Sequence, residues 1–285
     1  MKSIQTRLQL TTAKWVAAVV ALVMLSAPCL SAQCKDSDFA GSGVAAAPSR
    51  PNESAAPDPI QVGVVEVETG LTRTWLGNDS HQNVFSNLIK IGAWCNVEVR
   101  WSANSYMMQN LGTQNSRGVG DNFFTSQYRF VRESKQLPSL AIGYTVKFPS
   151  ASLADNLGSG QTDHLLTFMA GKTIHKFSII SNFSRFWIGE PGGTYDGKYE
   201  ATLAVTRPLH GKFGVIGEVY GDSRLNAAND PFANSTWALT YTVNPRLVFD
   251  SGAYVGLTSG AGAPGKSFFF GATYALGDIY HIHRN

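Results

Sequence analysis

Beyond its N-terminal segment, this chain of 285 residues has no stretch approaching the ~20 unbroken apolar residues that a helical membrane span requires. Charge is sparse: Asp, Glu, Lys and Arg together make up 15% of the residues, with a formal net charge of +3. An excess so small and so scattered argues against a nucleic-acid partner. Histidines are few, and His281 with His283 cannot by themselves complete a tetrahedral metal site. The run Gly260-Ala261-Gly262-Ala263-Pro264-Gly265 spells a dinucleotide fingerprint, but it contains a proline and opens no helix. No nucleophile elbow or spaced triad occurs, although His164 and His175 lie near Ser159 and Ser178. No cofactor is implied, and the chain does not read as an enzyme.

What is present begins with an export signal. Lys2, Arg7 and Lys14 precede the apolar run from Trp15 to Leu25, and small residues follow to Ala32, so residues 1–32 read as a cleaved signal peptide. Residues 33–59, rich in Ala, Ser and Pro, read as a disordered periplasmic linker that cannot bury enough apolar surface to fold. Residues 60–280 carry the folded unit, and 281–285 form a tail. Of the 3 cysteines, Cys29 leaves with the signal. An oxidising periplasm permits a Cys34–Cys95 disulfide, but Cys34 lies on the linker, so two unpaired thiols are expected.

The folded unit alternates apolar and polar residues in segments of roughly ten, the pattern of a barrel with lipid outside and water within. We expect an all-β, antiparallel transmembrane barrel of about twelve strands. The strands start near Val65, Leu88, Val97, Asn122, Leu140, Leu165, Phe177, Glu200, Phe213, Thr236, Leu247 and Ser267. Tight turns at Trp94-Cys95-Asn96, Thr173-Ile174-His175, His210-Gly211-Lys212 and Asn244-Pro245-Arg246, with a short one at Glu133–Leu137, alternate with longer polar stretches. Those stretches are Gly77–Phe85, Asn104–Val119, Ser150–Asp163, Gly189–Tyr199, Gly221–Ser235 and Ser259–Lys266. Short periplasmic turns and longer extracellular loops sort connections in this way; a soluble sandwich does not.

Trp75, Trp101, Trp187 and Trp237 fall on the apolar face near the long-loop ends of their strands, as an aromatic girdle at headgroup level requires. Arg73, Arg185 and Arg207 share that face near strand ends. The opposite face carries the candidate pore-lining charges Glu66, Glu68, Lys90, Glu98, Arg100, Arg129, Lys147, Lys176, Glu200, Glu218 and Asp250. Acids and bases nearly cancel, which predicts weak ion selectivity. Two readings stay open: a polar conduit with charges facing one another, or charges that pair and fill a narrow lumen.

Several segments in order resemble the outer-membrane barrel family named for the MetA pathway of phenol degradation. They are Asn87-Leu88-Ile89-Lys90-Ile91-Gly92, Val97-Glu98-Val99-Arg100, Gly118-Val119-Gly120-Asp121, Leu137-Pro138-Ser139-Leu140-Ala141 and Val146-Lys147-Phe148-Pro149-Ser150. The similarity covers most of residues 65–277, and Gly118, Gly120, Asp121, Phe148 and Pro149 are its motif positions. Pro149-Ser150-Ala151 replaces the family's usual Pro-Thr-Gly, and the chain runs past Tyr280 where many such barrels end in an aromatic residue. The resemblance implies a transporter of the cell outer membrane.

Together these readings predict a channel that passes small solutes passively, hydrophobic or aromatic ones among them. Its partners would be outer-membrane lipid and lipopolysaccharide, the barrel-assembly machinery and the solute. The alternatives are a closed barrel that serves structure or surface interaction and, behind it, a membrane-embedded hydrolase.

Overall fold

The structure is a computed structural model that describes residues 34–41, 43–77, 79–112, 114–226, 229–259 and 265–280. The signal segment, the glycine run at 260–264 and the tail 281–285 lie outside the described residues.

Thirteen strand segments follow a short 3-10 turn at Asp36–Asp38. They are β1 (Val64–Gly77), β2 (Ser80–Trp94), β3 (Val97–Leu111), β4 (Gln114–Gly118), β5 (Asn122–Val131), β6 (Ser139–Phe148), β7 (Asp163–Ile174), β8 (Phe177–Glu190), β9 (Thr194–Pro208), β10 (Phe213–Asp222), β11 (Phe232–Asn244), β12 (Leu247–Gly256) and β13 (Lys266–Asp278). Each pairs antiparallel with its neighbours, and β1–β13 and β2–β3 pairing closes the sheet, so no edge is left for lipid to meet. β4 and β5 keep one register against β3, with Met107 opposite Gly118 and Ala103 opposite Asn122. They are therefore two halves of one wall strand, and the wall has 12.

The phase of that strand steps where the motif Gly118-Val119-Gly120-Asp121 interrupts it. Below the step Arg129 and Gln127 face inward; above it Gly118 lies inside, opposite the buried Met107. Ser105 on β3 is the extra residue that matches the step against β2. The Gly120 N–H donates to the Asn104 carbonyl at 2.7 Å, and a side chain at Gly120 would meet Asn104 Cβ at 2.6 Å.

Three of the stretches expected as extracellular loops are strand instead. Asn104–Val119 is the upper part of β3 plus β4, Gly77–Phe85 is a hairpin between β1 and β2, and Gly189–Tyr199 is a hairpin between β8 and β9. These segments mix polar residues with scattered apolar ones such as Tyr106, Met108 and Leu111, so their alternation is weak. A strand of 14 or 15 residues is longer than the 9–11 that a tilted crossing needs. Backbone pairing continues there without a regular apolar outer face to report it.

Outward positions carry the lipid-facing surface: Phe124, Phe183, Leu203, Leu239, Phe268 and Phe270 are all at least 45% exposed. Trp75 is exposed and Trp187 half-buried on this face near the outer ends of β1 and β8. Trp101 and Trp237 are exposed in the lower part of β3 and the middle of β11, because β3 runs on to Leu111 and β11 starts at Phe232. The four therefore do not form the single girdle expected from sequence. Arg73 stacks on Trp75, while Arg185 lies over both Trp187 and Tyr199. Each guanidinium is thus held at the level of the aromatic rings, where its charge reaches headgroups.

Candidate functional site: the lumen and its internal arm

The residues expected to form a disordered linker are ordered inside the barrel. From Cys34 the chain crosses the periplasmic mouth, rises into the lumen from Ala46, turns over at Arg50–Glu53 and descends to β1. Composition predicts no core for this segment; docked, it builds a small one at its periplasmic end, where Ala40, Val44 and Ile60 pack with Val64 and Ala275. It is held through its peptide groups, which satisfy buried side chains of the wall all round the barrel.

On the way up, the Ala47 N–H donates to Glu66 (2.6 Å), and the Ser49 and Arg50 N–H groups donate to the two oxygens of Glu68 (2.8 and 2.9 Å). Lys90, 1% exposed, lies 2.6 Å from Glu66 and 2.7 Å from Glu68, and it also donates to the Ala47 carbonyl at 2.6 Å. Arg50 then reaches Asp250 on β12 at 3.3 Å. Its guanidinium passes where β1 and β13 expose only Gly70 and Gly271; a Cβ on either would come within 2.5 Å of it.

At the apex the Pro51 carbonyl accepts from Tyr254, and Glu218 accepts the N–H groups of Glu53 (2.8 Å) and Ser54 (2.7 Å) together with the Ser54 hydroxyl. On the way down, Ala55 exchanges two hydrogen bonds with the Asn182 amide, and Gln127 donates to the carbonyls of Ala56 and Pro57. Asp58 pairs with Arg129 at 2.7 Å, and the Ile60 N–H donates to Glu98 at 2.7 Å. Buried carboxylates normally need paired charges; here oriented peptide N–H groups share that task.

Both ends of the arm are fastened. Cys34 and Cys95 form a disulfide at a Cα–Cα distance of 5.5 Å, which overturns the expected pair of free thiols because the arm is docked and brings Cys34 to the β2–β3 turn. Beside it Asp38 takes two hydrogen bonds from Arg132 and lies 3.4 Å from Arg129. Burial pushes the Asp38 carboxyl up, but the Arg132 hydrogen bonds, the Lys35 N–H and the charges of Arg132 and Arg129 outweigh it and hold it below the usual carboxylate range.

Of the residues singled out from sequence, Glu66, Glu68, Lys90, Glu98, Arg100, Arg129, Lys147, Glu200, Glu218 and Asp250 face the lumen. Most touch the arm or one another; Arg100, for example, joins Glu98 to Gln127. Lys176 does not belong with them: it sits exposed in the two-residue turn between β7 and β8, where the strand alternation has already ended. The motif residue Asp121 also works in the lumen. It accepts from the Ala151 N–H at 3.0 Å and lies 3.6 Å from Lys147, which pairs with Asp163 at 2.5 Å. Phe148 is exposed on the outer face at the top of β6, and Pro149 opens the loop that Asp121 fastens. That loop folds inward, so that Leu157 is buried against Gly118 and Gln109 donates to the Asn156 carbonyl at 2.8 Å.

Sequence reasoning missed the arm's own groups, Arg50, Glu53 and Asp58, and the uncharged anchors Gln127, Asn182 and Tyr254. The inward alternation of β5, β8 and β12 could have nominated the last three. The two histidine–serine pairs do not assemble. His164 faces outward between the hydroxyls of Tyr144 (2.7 Å) and Tyr195 (3.4 Å), while Ser159 accepts from Lys147 on the lumen side. His175 is exposed in the β7–β8 turn, and Ser178 faces inward.

Between the apex and the wall of β2, β3 and β5 lies a cavity of about 360 Å³, bordered by Arg50, Glu53, Leu88, Ser102, Phe123 and Tyr254. The lumen is therefore filled in its periplasmic half and opens into a chamber above the arm.

The family described as "Putative MetA-pathway of phenol degradation" matches residues 48–276, and the chain belongs to it. Among solved structures it is similar to the COG4313 outer membrane channel from Pseudomonas putida F1, with a TM-score of 0.62 at 9% identity over 79% of this chain and 100% of that one. It is also similar to the NanC porin, with a TM-score of 0.52 at 12% identity over 74% of this chain and 100% of that one. These two likenesses establish the fold. No curated protein matches the chain.

Proposed function

We propose that this member of the phenol-degradation barrel family is an outer-membrane channel for small solutes, exported by its N-terminal signal and narrowed from within by the arm of residues 43–63. The observation that carries the reading is the division of the lumen. Its upper half holds a chamber of about 360 Å³ lined by hydroxyls, aromatic rings and carboxylates, while its lower half is occupied by a segment that contributes no strand to the wall. The closure of the wall does not depend on that segment. Passage then requires the arm to shift, or solutes small enough to pass beside it. Nothing in such a device couples to an energy source, so transport runs down the gradient.

Conductance of the purified full-length protein in planar bilayers tests this. Small steps are expected from the intact chain, and markedly larger ones from a variant lacking residues 43–59. A flat trace from both would sink the channel reading. The second reading, a barrel that stays closed, is favoured by the density of hydrogen bonds between arm and wall; silence from the full chain with conduction from the deletion would select it.

A further inference from the structure

We propose that the lumen above the arm, on the side where Glu53, Glu200 and Asp222 gather, is a binding site for small solutes carrying a primary ammonium group, and that it discriminates against anionic solutes of the same size. This deepens the channel reading and rests on it for the route of access. In the periplasmic half, the lumen charges are absorbed by ion pairs and by the peptide groups of the arm. Above the apex that balance fails. Among the described residues the cations facing this part of the lumen are already engaged, Arg50 with Asp250, Lys147 with Asp163 and Asp121, and Lys198 with Asp222. Glu200 sits directly across the β9–β10 ladder from Asp222, and Glu53 lies within electrostatic reach of both Glu218 and Asp222. Glu53 is exposed and borders the cavity above the arm, and its own N–H donates to Glu218.

A second observation points to a ligand. Asn234 is 1% exposed on the lumen face of β11, beside the same acids; its amide nitrogen donates to the Tyr220 hydroxyl at 3.1 Å and its Oδ1 has no donor. Thr236, two residues along and opposite Glu218, likewise has a buried hydroxyl without a partner. A buried acceptor lacking a donor costs free energy that a ligand N–H can recover. The chain also shows what kind of cation fits here, because the Lys198 ammonium rests 4.5 Å over the Phe186 ring while it pairs with Asp222. Among the described residues no three Asp, Glu, His or Cys side chains converge as a metal ion needs, so the acids are spaced for a larger, organic cation.

The test uses the full-length protein in detergent and in bilayers, with 2-phenylethylammonium and phenylacetate as matched probes. Calorimetric titration should show the amine bound at least tenfold more tightly than the acid, weakening as salt rises. The double variant Glu53→Gln/Glu200→Gln should lose about tenfold in amine affinity. Lys198→Met, which frees Asp222 of its tethered ammonium, should gain affinity. Heat-modifiable gel mobility reports whether each variant is a folded barrel. Under a tenfold KCl gradient the reversal potential should favour potassium in the parent and move toward zero in the double variant. Equal binding of the two probes, or an unchanged affinity in a folded double variant, overturns the proposal while leaving the channel intact. Amine binding without any conductance upholds the site and removes the channel reading.

Discussion

Lys90→Met removes one buried cation from between two buried carboxylates, and its consequence can be worked out from the lumen geometry. Lys90 is 1% exposed and Glu66 and Glu68 are 0% exposed, with N–O distances of 2.6 and 2.7 Å. Methionine keeps the length of the stem and deletes the charge, so the side-chain volume is nearly preserved. Breaking a buried pair by removing one partner costs about 3–5 kcal/mol, because the surviving charge stays desolvated. The wall can avoid that cost in one way: the arm can lift from β1 and let water reach the two glutamates. The N–H groups of Ala47, Ser49 and Arg50, which donate to those glutamates, would then be released. At about 1.4 kcal/mol per decade, the docked-to-lifted ratio should fall by roughly 10²–10³. Hydrogen exchange read by mass spectrometry on peptides covering residues 45–52 should accelerate by a similar factor, while the strands stay protected. Adding Glu66→Gln and Glu68→Gln to the variant removes the stranded charges but keeps acceptors for the arm, and should recover much of the protection. If exchange in a folded Lys90→Met protein stays within about threefold of the parent, the claim that charge holds the arm down is wrong.

Three further outcomes follow from the same structure. Replacing both Cys34 and Cys95 by serine opens a link across 61 residues, worth about 4 kcal/mol of chain entropy in the unfolded state; the temperature at which the folded gel band is lost should drop clearly, and an unchanged temperature would show the link to be idle. Leu203→Arg puts a charge on the lipid face of β9, where Leu203 is 45% exposed, and should cost about 2–4 kcal/mol in urea unfolding from lipid vesicles, against little for Leu203→Ile. Asp121→Ala cuts the hold on Ala151 and Lys147, a loss of about 1–3 kcal/mol at a charged acceptor; limited proteolysis should then cut between residues 151 and 162, and continued resistance there would remove Asp121 from its anchoring role.

The wall was legible because lipid imposes a rule on every residue it touches. Phe183, Leu203, Trp237 and Leu239 had to be apolar, and the alternation that makes them so also marks Asn182, Thr202 and Thr236 as inward. Where that rule lapses, so does the reading. Toward the outer end β3 and β4 pair through Met107, Gln109, Ser116 and Gly118 against the inward-folded loop that carries Leu157, and such a strand is indistinguishable by composition from a loop. The period step at Gly118-Val119-Gly120-Asp121 compounds this, since alternation that changes phase by one residue looks like no alternation at all.

The arm was illegible for a different reason. Many of its contacts are made by backbone, and the sequence of Ala45-Ala46-Ala47-Pro48-Ser49 says nothing about where peptide N–H groups point. Composition reports only that the segment has little apolar surface to bury; it cannot report that Glu66, Glu68 and Glu218 accept its peptide N–H groups. The acids stand on inward positions of the sequence, and distant bases balance them only in the total. Net charge is the wrong quantity inside a barrel. Lys176 sits in a turn at the periplasmic rim, away from these acids, and Arg129 is committed to Asp58 and Asp38 of the arm. Charge has to be counted level by level along the axis. Done so, the lower levels require an internal donor and the upper ones retain uncompensated carboxylates, so the lumen that looked neutral in sequence is built to hold a peptide below and a cation above.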